Sequence, residues 1–248
     1  MHPGVIAQRP IILYSESTMV ERIIVGPMNT NAYIFSEWKK ECIVVDPGGD
    51  IETLISHIGI KSMKPRGILL THGHIDHIAA CAGLVTYFAD QELNLPIAIH
   101  EADAHFLGPD ALNAHRDCIS DLGDIDDDLF ETLFKPIPSA DLFLKEGDAP
   151  FESSLVTIHT PGHTPGSVCF YSENQGFLLS GDTLFFEGIG RTDLSGGDTG
   201  QLIGSIKKKL LELPEETRVF PGHGPFTTIE RESDHNPFLT GTGSVPLG

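Results

Sequence analysis

At 248 residues, 40% of them hydrophobic, the chain has material for one large α/β domain with a proper core, which excludes wholesale disorder and leaves little room for a second domain. Its 35 acidic residues against 16 basic ones give a formal charge of −19, a balance that repels polyanions and argues against a nucleic-acid partner. Four widely spaced cysteines (Cys42, Cys81, Cys118, Cys169) form no C-x-x-C pair and read as buried, reduced thiols. The first residues hold no apolar run of signal-peptide length and no segment reaches the roughly 20 apolar residues of a membrane span, so the expectation is a soluble cytoplasmic protein.

In chain order, Ile23–Val25, Ala32–Phe35 and Ile43–Val45 read as strands, the last ending in the turn Asp46-Pro47-Gly48-Gly49. Asp50 is predicted to cap a helix running to about Gly59, with Ile51, Leu54, Ile55 and Ile58 at helical spacing. A buried strand at Gly67–Thr71 leads to a helix over His77–Ala89, carrying Ile78, Ala82, Val85 and Phe88, and then to a strand at Pro96–Ile99. From His105 to Pro138 the pattern changes to that of an insertion. There Asp124, Asp126, Asp127 and Asp128 precede Leu129, Phe130, Leu133 and Phe134, which predicts an acid-capped surface helix inside the insertion and does not fit a calcium loop; the insertion around Phe106–Phe134 is expected to wall the active site, with covering the sandwich as its alternative. Strands at Leu155–His159, Ser167–Tyr171 and Phe177–Leu179 follow, then a helix over Gly200–Leu213 with Lys207, Lys208 and Lys209 near its tail. A strand at Arg218–Phe220, a short helix near Ile229 and a Gly/Ser/Thr tail after Leu239 close the chain. Strands alternating with helices make the class α/β, in a single domain spanning 1–248.

The chemistry concentrates in Thr71-His72-Gly73-His74-Ile75-Asp76-His77. Four metal-competent side chains fall within six residues at the C-terminal end of a strand, where open α/β sheets place their ligands. One ion cannot easily accept all four from so short a stretch, which points to two ions sharing it. Three further ligand types stand beside glycines at the ends of apolar runs: His163 in Thr160-Pro161-Gly162-His163-Thr164-Pro165-Gly166, Asp182 after Ser180-Gly181, and His223 in Pro221-Gly222-His223-Gly224. Seven Asp and His ligands without Cys describe an open, reactive site and not a closed structural one.

These segments together resemble the metallo-β-lactamase superfamily over roughly residues 23–239. The resemblance implies an αββα sandwich with the metals at one edge between the two sheets. It assigns His72, His74 and His163 to a first metal, Asp76, His77 and His223 to a second, and Asp182 to a bridge between them. The ligand set suits two divalent ions, zinc first, with iron or manganese also accommodated. Asp76 and Asp182 are the candidate catalytic carboxylates, Asp76 as a proton shuttle.

Within the superfamily, β-lactamases would put Cys or Ser at the Asp182 position, RNA-processing members add basic nucleic-acid domains, and flavin-linked members replace the second His with Glu. Gly181-Asp182-Thr183-Leu184-Phe185, Gly188-Ile189-Gly190-Arg191-Thr192-Asp193 and His235-Asn236-Pro237-Phe238-Leu239 are most similar to the short glyoxalase II-like group, the hydroxyacylglutathione hydrolases. The implied reaction is thioester hydrolysis by a metal-bridging hydroxide on a small-molecule substrate. Thiolates leave readily because thiols have a pKa of about 8.5. Arg191 is the candidate substrate-carboxylate contact, with pairing to Asp193 as its alternative. Two alternatives share the motif: a mononuclear-iron persulfide dioxygenase, holding iron at positions matching His72 or His74, His163 and Asp182, and a lactone or phosphodiester hydrolase on the same two metals. Against the dioxygenase, the last metal-region His reads His223-Gly224-Pro225 where that group has H-D-Y. Oligomeric state is open.

Overall fold

Strict alternation along the central strands decides the architecture. On the strand β3 (Thr30–Ser36), Ala32 and Ile34 are buried in one core while Tyr33 and Phe35 are buried in another. On β4 (Glu41–Val45), Cys42 and Val44 face the first core and Ile43 and Val45 the second. A strand that is apolar on both faces must be covered on both, so this sheet needs helices on one side and a second sheet on the other.

The computed structural model describes residues 12–14, 18–109, 111–120 and 136–241. Seven strands form the first sheet in chain order: β1 (Ile12–Tyr14), β2 (Met19–Val25), β3, β4, β5 (Lys64–Leu69), β6 (Ile97–His100) and β7 (Leu142–Leu144). β1 to β4 pair antiparallel, whereas β4 to β7 are parallel and are joined by helical crossovers. Those crossovers carry α1 (Ile51–Ile60), α2 (Ile75–Ile78), α3 (Cys81–Ala89), a 3-10 turn over Glu101–Phe106 and α4 (Ala111–Ser120). The second sheet has the order β14 (Thr227–Thr228), β13 (Arg218–Pro221), β10 (Phe177–Gly181), β9 (Val168–Ser172), β8 (Val156–His159). β11 (Leu184–Phe185) and β12 (Gly188–Ile189) make a small separate hairpin.

Phe35, Ile43, Val45 and Leu69 of the first sheet meet Val168, Phe170, Phe177, Leu179 and Phe220 of the second to form the inter-sheet core. The outer face of the second sheet, through Cys169, Leu178 and Val219, buries Leu202, Ile206, Leu210 and Ile229. These come from α5 (Thr199–Ser205), the π-turn Ile206–Leu210 and α6 (Ile229–His235), which α7 (Pro237–Thr240) follows. The result is the four-layer αββα sandwich. The four cysteines are buried, and burial pushes the Cys42 thiol up to about 12 and the Cys169 thiol to about 11.

Several elements differ from expectation for physical reasons. Asp50 sits at the N-cap of α1 in a left-handed conformation but does not cap it; its carboxylate accepts instead from the Gly26 backbone N–H at 2.9 Å. The helix expected over His77–Ala89 is two helices, because the Ala80 N–H bonds Pro47 O, which ties the joint between them to the end of β4. The helix expected to run to Leu213 is α-helical only to Ser205 before the π-turn, which carries Lys207 to Lys209 near its end. There Lys209 Nζ reaches both Glu146 Oε2 and His159 O at 2.7 Å. The acid-capped helix expected after Asp124 and the tail after Gly241 lie outside the described residues. Among the described residues no helix is long and apolar enough to cross a membrane.

Phe35 is fully buried, with its ring 6.0 Å from that of Phe177 across the inter-sheet core. Urea unfolding of Phe35→Ala should show a loss of about 3–5 kcal/mol. The double variant with Phe177→Ala should lose less than the sum of the two single losses, since the residues share one contact.

Candidate metal centre

The C-terminal ends of β5, β8, β10 and β13 all open at the same edge of the sandwich, and each delivers ligands. After β5, residues 70–73 lead to His74, which lies in β conformation at the N-cap position of α2; Asp76 and His77 then lie in that helix's first turn. The loop after β8 brings His163, β10 leads into Asp182 and β13 into His223. The last is clasped by β3: Asn31 Nδ2 donates to Pro221 O and Gly224 O at 2.9 and 3.0 Å, and Tyr33 Oη donates to Pro221 O at 2.6 Å. Gly222 is required by closeness, since a Cβ there would fall on the Asp182 carboxylate.

All seven ligand candidates converge. Their potential ligand atoms form three clusters, His72/His74/His163, His72/His77/Asp182 and Asp76/His77/His223, each with its atoms within 4.8 Å of one another. Asp182 lies between the outer two. Its Oδ1 is 3.4 Å from His77 Nε2, and its Oδ2 is 3.7 Å from His163 Nε2 and 3.6 Å from His223 Nε2.

Hydrogen bonds on the far side of three of the rings show that the donor set fits cations. His163 Nδ1 lies 2.8 Å from Arg191 O, a pure acceptor, so Nδ1 carries the proton and Nε2 presents its lone pair inward. Thr71 Oγ1 donates to Asp46 Oδ2 at 2.6 Å and so accepts from His72 Nδ1 at 3.1 Å, which leaves His72 Nε2 bare as well. Those two bare nitrogens face each other at 3.3 Å with no proton between them. His77 Nδ1 is fixed by Asp46 Oδ2 at 3.0 Å. His74 Nε2, His77 Nε2 and Asp182 Oδ1 are buried with no hydrogen-bond partner, a costly arrangement unless a cation takes them.

The electrostatics divide the cluster. Burial, then repulsion from the neighbouring histidines, holds His72 well below the usual imidazole value; burial and His163 push His74 down to about 3. Burial also works against ionising Asp76 and Asp182, but the surrounding histidines, His77 first, outweigh it and keep both carboxyls below their usual range. On His77 the burial penalty is overcome by Asp182, Asp76 and Asp46, and on His223 by Asp76 and Asp182, so both are raised.

Two residues with a part in the site escaped the sequence reading. Asp46, read only as part of a turn, is buried and accepts from the Thr71 N–H at 2.8 Å as well as from Thr71 Oγ1 and His77 Nδ1. Asp103, with no motif around it, is buried and accepts from Gly73 N at 3.0 Å, Thr164 Oγ1 at 2.7 Å and Gly166 N at 2.7 Å. It therefore stitches the loop of His72 and His74 to the loop of His163. Arg191 reaches the site with its backbone; its guanidinium makes two bonds to Asp193, at 2.7 and 2.8 Å. His115 is buried, donates from Nε2 to Phe106 O at 2.9 Å, and is pushed down to about 4 by burial.

Above the cluster lies a cavity of about 450 Å³. Its floor is His74, Asp76, His163, Asp182 and His223, and its walls are mostly apolar: Met28, Ile75, Phe185, Ile189 and Leu194. α4, within the 105–138 segment, adds His115 and Cys118 to the wall.

A sequence model of the metallo-beta-lactamase superfamily matches residues 25–223. A probable metallo-hydrolase of Bacillus subtilis, YqgX, is 40% identical over 225 residues, covering 89% of this chain and 97% of that protein. The hydroxyacylglutathione hydrolase GloC of Haemophilus influenzae is 32% identical over 233 residues, covering 89% and 97%. Among solved structures, the B3 metallo-beta-lactamase BLEG-1 superposes with a TM-score of 0.77 at 41% identity, covering 90% of this chain and all of that one. TTHA1623 in a di-iron-bound form gives 0.72 at 34% identity, covering 88% and 99%.

Metal titration checks the site in two ways. Because His77 and His223 hold protons above the usual imidazole range in the metal-free site and must lose them to bind, loading should release protons at pH 7. Affinity should fall as pH drops through those raised values, which a pH indicator in weak buffer and a competing chelator will read. Asp103→Asn and Asp46→Asn should each weaken metal binding about 10–100-fold, measured by the same competition.

Proposed function

The chain belongs to the metallo-beta-lactamase superfamily, and on that premise we propose that it hydrolyses small acyl thioesters at a two-metal centre. The observation that carries the reading is the convergence of seven ligands in three overlapping clusters, with buried nitrogen and oxygen atoms left bare between them. Two divalent ions held there supply Lewis acidity and a water whose pKa falls from 15.7 towards about 7. His72, His74 and His163 are the proposed holders of one ion, Asp76, His77 and His223 of the other, and Asp182 of both.

The residues around the reacting bond favour a thioester. Asp76 and Asp182 are both held below the ordinary carboxylate range, so neither is a proton donor at neutral pH. A leaving thiolate, from a thiol of pKa about 8.5, needs no such donor, whereas an amide nitrogen does. The Haemophilus relative's name points the same way and makes S-lactoylglutathione the first substrate to assay. Thr30 Oγ1 donates to Asp76 Oδ2 at 3.2 Å and His223 Nε2 lies 3.1 Å from the same oxygen, which aims that carboxylate. We take zinc as the metal, with iron as the alternative, since a 34% identical neighbour holds two irons. β-Lactam hydrolysis is a second reading, favoured by the 41% identical BLEG-1 and opposed by the ionised state of Asp76 and Asp182, which leaves neither to protonate a leaving nitrogen.

Purification without added metal, metal counting per chain and assays on one sample test this. The expected result is close to two ions per chain, thiol release from S-lactoylglutathione that a chelator abolishes, and no opening of a chromogenic cephalosporin. One iron per chain, with oxygen uptake on glutathione persulfide and no thiol release, would replace the hydrolase by a dioxygenase. Cephalosporin opening without thiol release would replace the thioesterase by a lactamase.

A further inference from the structure

We infer that the Arg191–Asp193 pair biases this cavity towards thioesters without a carboxylate and with an apolar acyl group, so that S-lactoylglutathione is hydrolysed but more slowly than a neutral acyl thioester. The inference rests on the thioesterase reading above and narrows it. Apart from its histidines, Arg191 is the single cationic side chain among the described residues that line the cavity. A substrate carboxylate entering there would look to that guanidinium, whose planar fork suits a carboxylate. The fork is taken: Nε and Nη2 bond the two oxygens of Asp193, at 2.7 and 2.8 Å.

Asp193 is only two residues away, so its carboxylate is always at hand and a free anion has to displace a tethered competitor. The one non-histidine cation in the lining is thus neutralised by Asp193 from outside it, beside walls of Met28, Ile75, Phe185, Ile189 and Leu194. Such walls favour an apolar acyl chain by the area they remove from water. The surrounding field adds to the effect. The whole chain is at −19. Negative surroundings lower the local concentration of anions.

Two thioesters that differ only in charge test this: S-butyryl-3-mercaptopropanamide and S-butyryl-3-mercaptopropanoate, assayed with the metal-loaded enzyme and with Asp193→Asn. The wild-type chain should favour the amide by at least about fivefold in kcat/KM. Asp193→Asn removes the competing charge while keeping the shape, and should move the ratio toward the carboxylate by about threefold to fivefold, the range of an exposed ion pair. The shift should come through KM and shrink in 1 M salt, because screening at that strength reaches within about 3 Å. A salt-sensitive shift of this kind is not what simple loosening of the loop would give. A wild-type preference for the carboxylate, or an unchanged ratio in Asp193→Asn, overturns the inference and leaves the thioesterase reading intact. Hydrolysis of neither ester, with the metals loaded, overturns the thioesterase reading and this inference together.

Discussion

One buried carboxylate, Asp46, holds the metal centre in register. It lies at the end of β4 with φ of 48°, a left-handed conformation that costs a non-glycine residue about 1–2 kcal/mol. That strain is tolerated because both oxygens are used: Oδ1 takes the Thr71 N–H, and Oδ2 takes the Thr71 hydroxyl and the His77 ring. Through Thr71 it also decides which nitrogen of His72 bears the proton. One charged group thus fixes the tautomers of two ligands proposed for different ions, and it does so from the strand next to the one that bears them. Its own burial would be untenable without these donors, and their inward lone pairs would be misplaced without it.

The convergence of the seven ligand candidates was legible in the sequence because each stands in a short Gly-flanked segment directly after an apolar run, and local chemistry is enough to mark it. The αββα layering was legible through the resemblance, and the double-sided burial of β3 and β4 shows why the sequence must fold so. Asp103 was not legible. Its partners are 30, 61 and 63 residues away, and nothing within His100-Glu101-Ala102-Asp103 distinguishes it from the other acids of an acidic chain. The short edge strands escaped for a related reason. Leu142 and Phe143 of β7 are exposed, so burial imposes no alternation on them, and β14 is only two residues long. Helix ends failed where tertiary bonds overrode local preference: Asp50 spends its carboxylate on Gly26 N, and the joint between α2 and α3 is tied down by Pro47 O.

The two sheets contribute unequally to the site. The first supplies four ligand candidates from one loop, but the second supplies the three that complete the clusters, and so the sandwich must not slide. Cross-links between the layers prevent it. The Val168 N–H bonds Thr71 O at 2.8 Å, the Asn31 N–H bonds Gly222 O at 2.7 Å, and Asp103 joins the Gly73 and Gly166 backbones. All three lie within a few residues of a ligand. Precision is therefore concentrated at the edge where chemistry occurs, while the interior of the sandwich relies on the less directional packing of Phe35, Phe170, Phe177 and Phe220.

The acidity of the chain acts in opposite senses on its two kinds of ligand. A charge of −19 draws divalent cations towards a cluster that already points bare nitrogens and ionised carboxylates at them. The same field repels anionic substrates, and two divalent ions offset only four of those charges. Inside the cluster the balance is reversed locally, because Asp76 and Asp182 are the only acidic side chains among the described residues lining the cavity and both are committed to the ligand set. What remains for a substrate is Lewis acidity on the floor, apolar walls and a self-neutralised ion pair. Such an environment gains more from burying a hydrocarbon chain than from meeting a second charge.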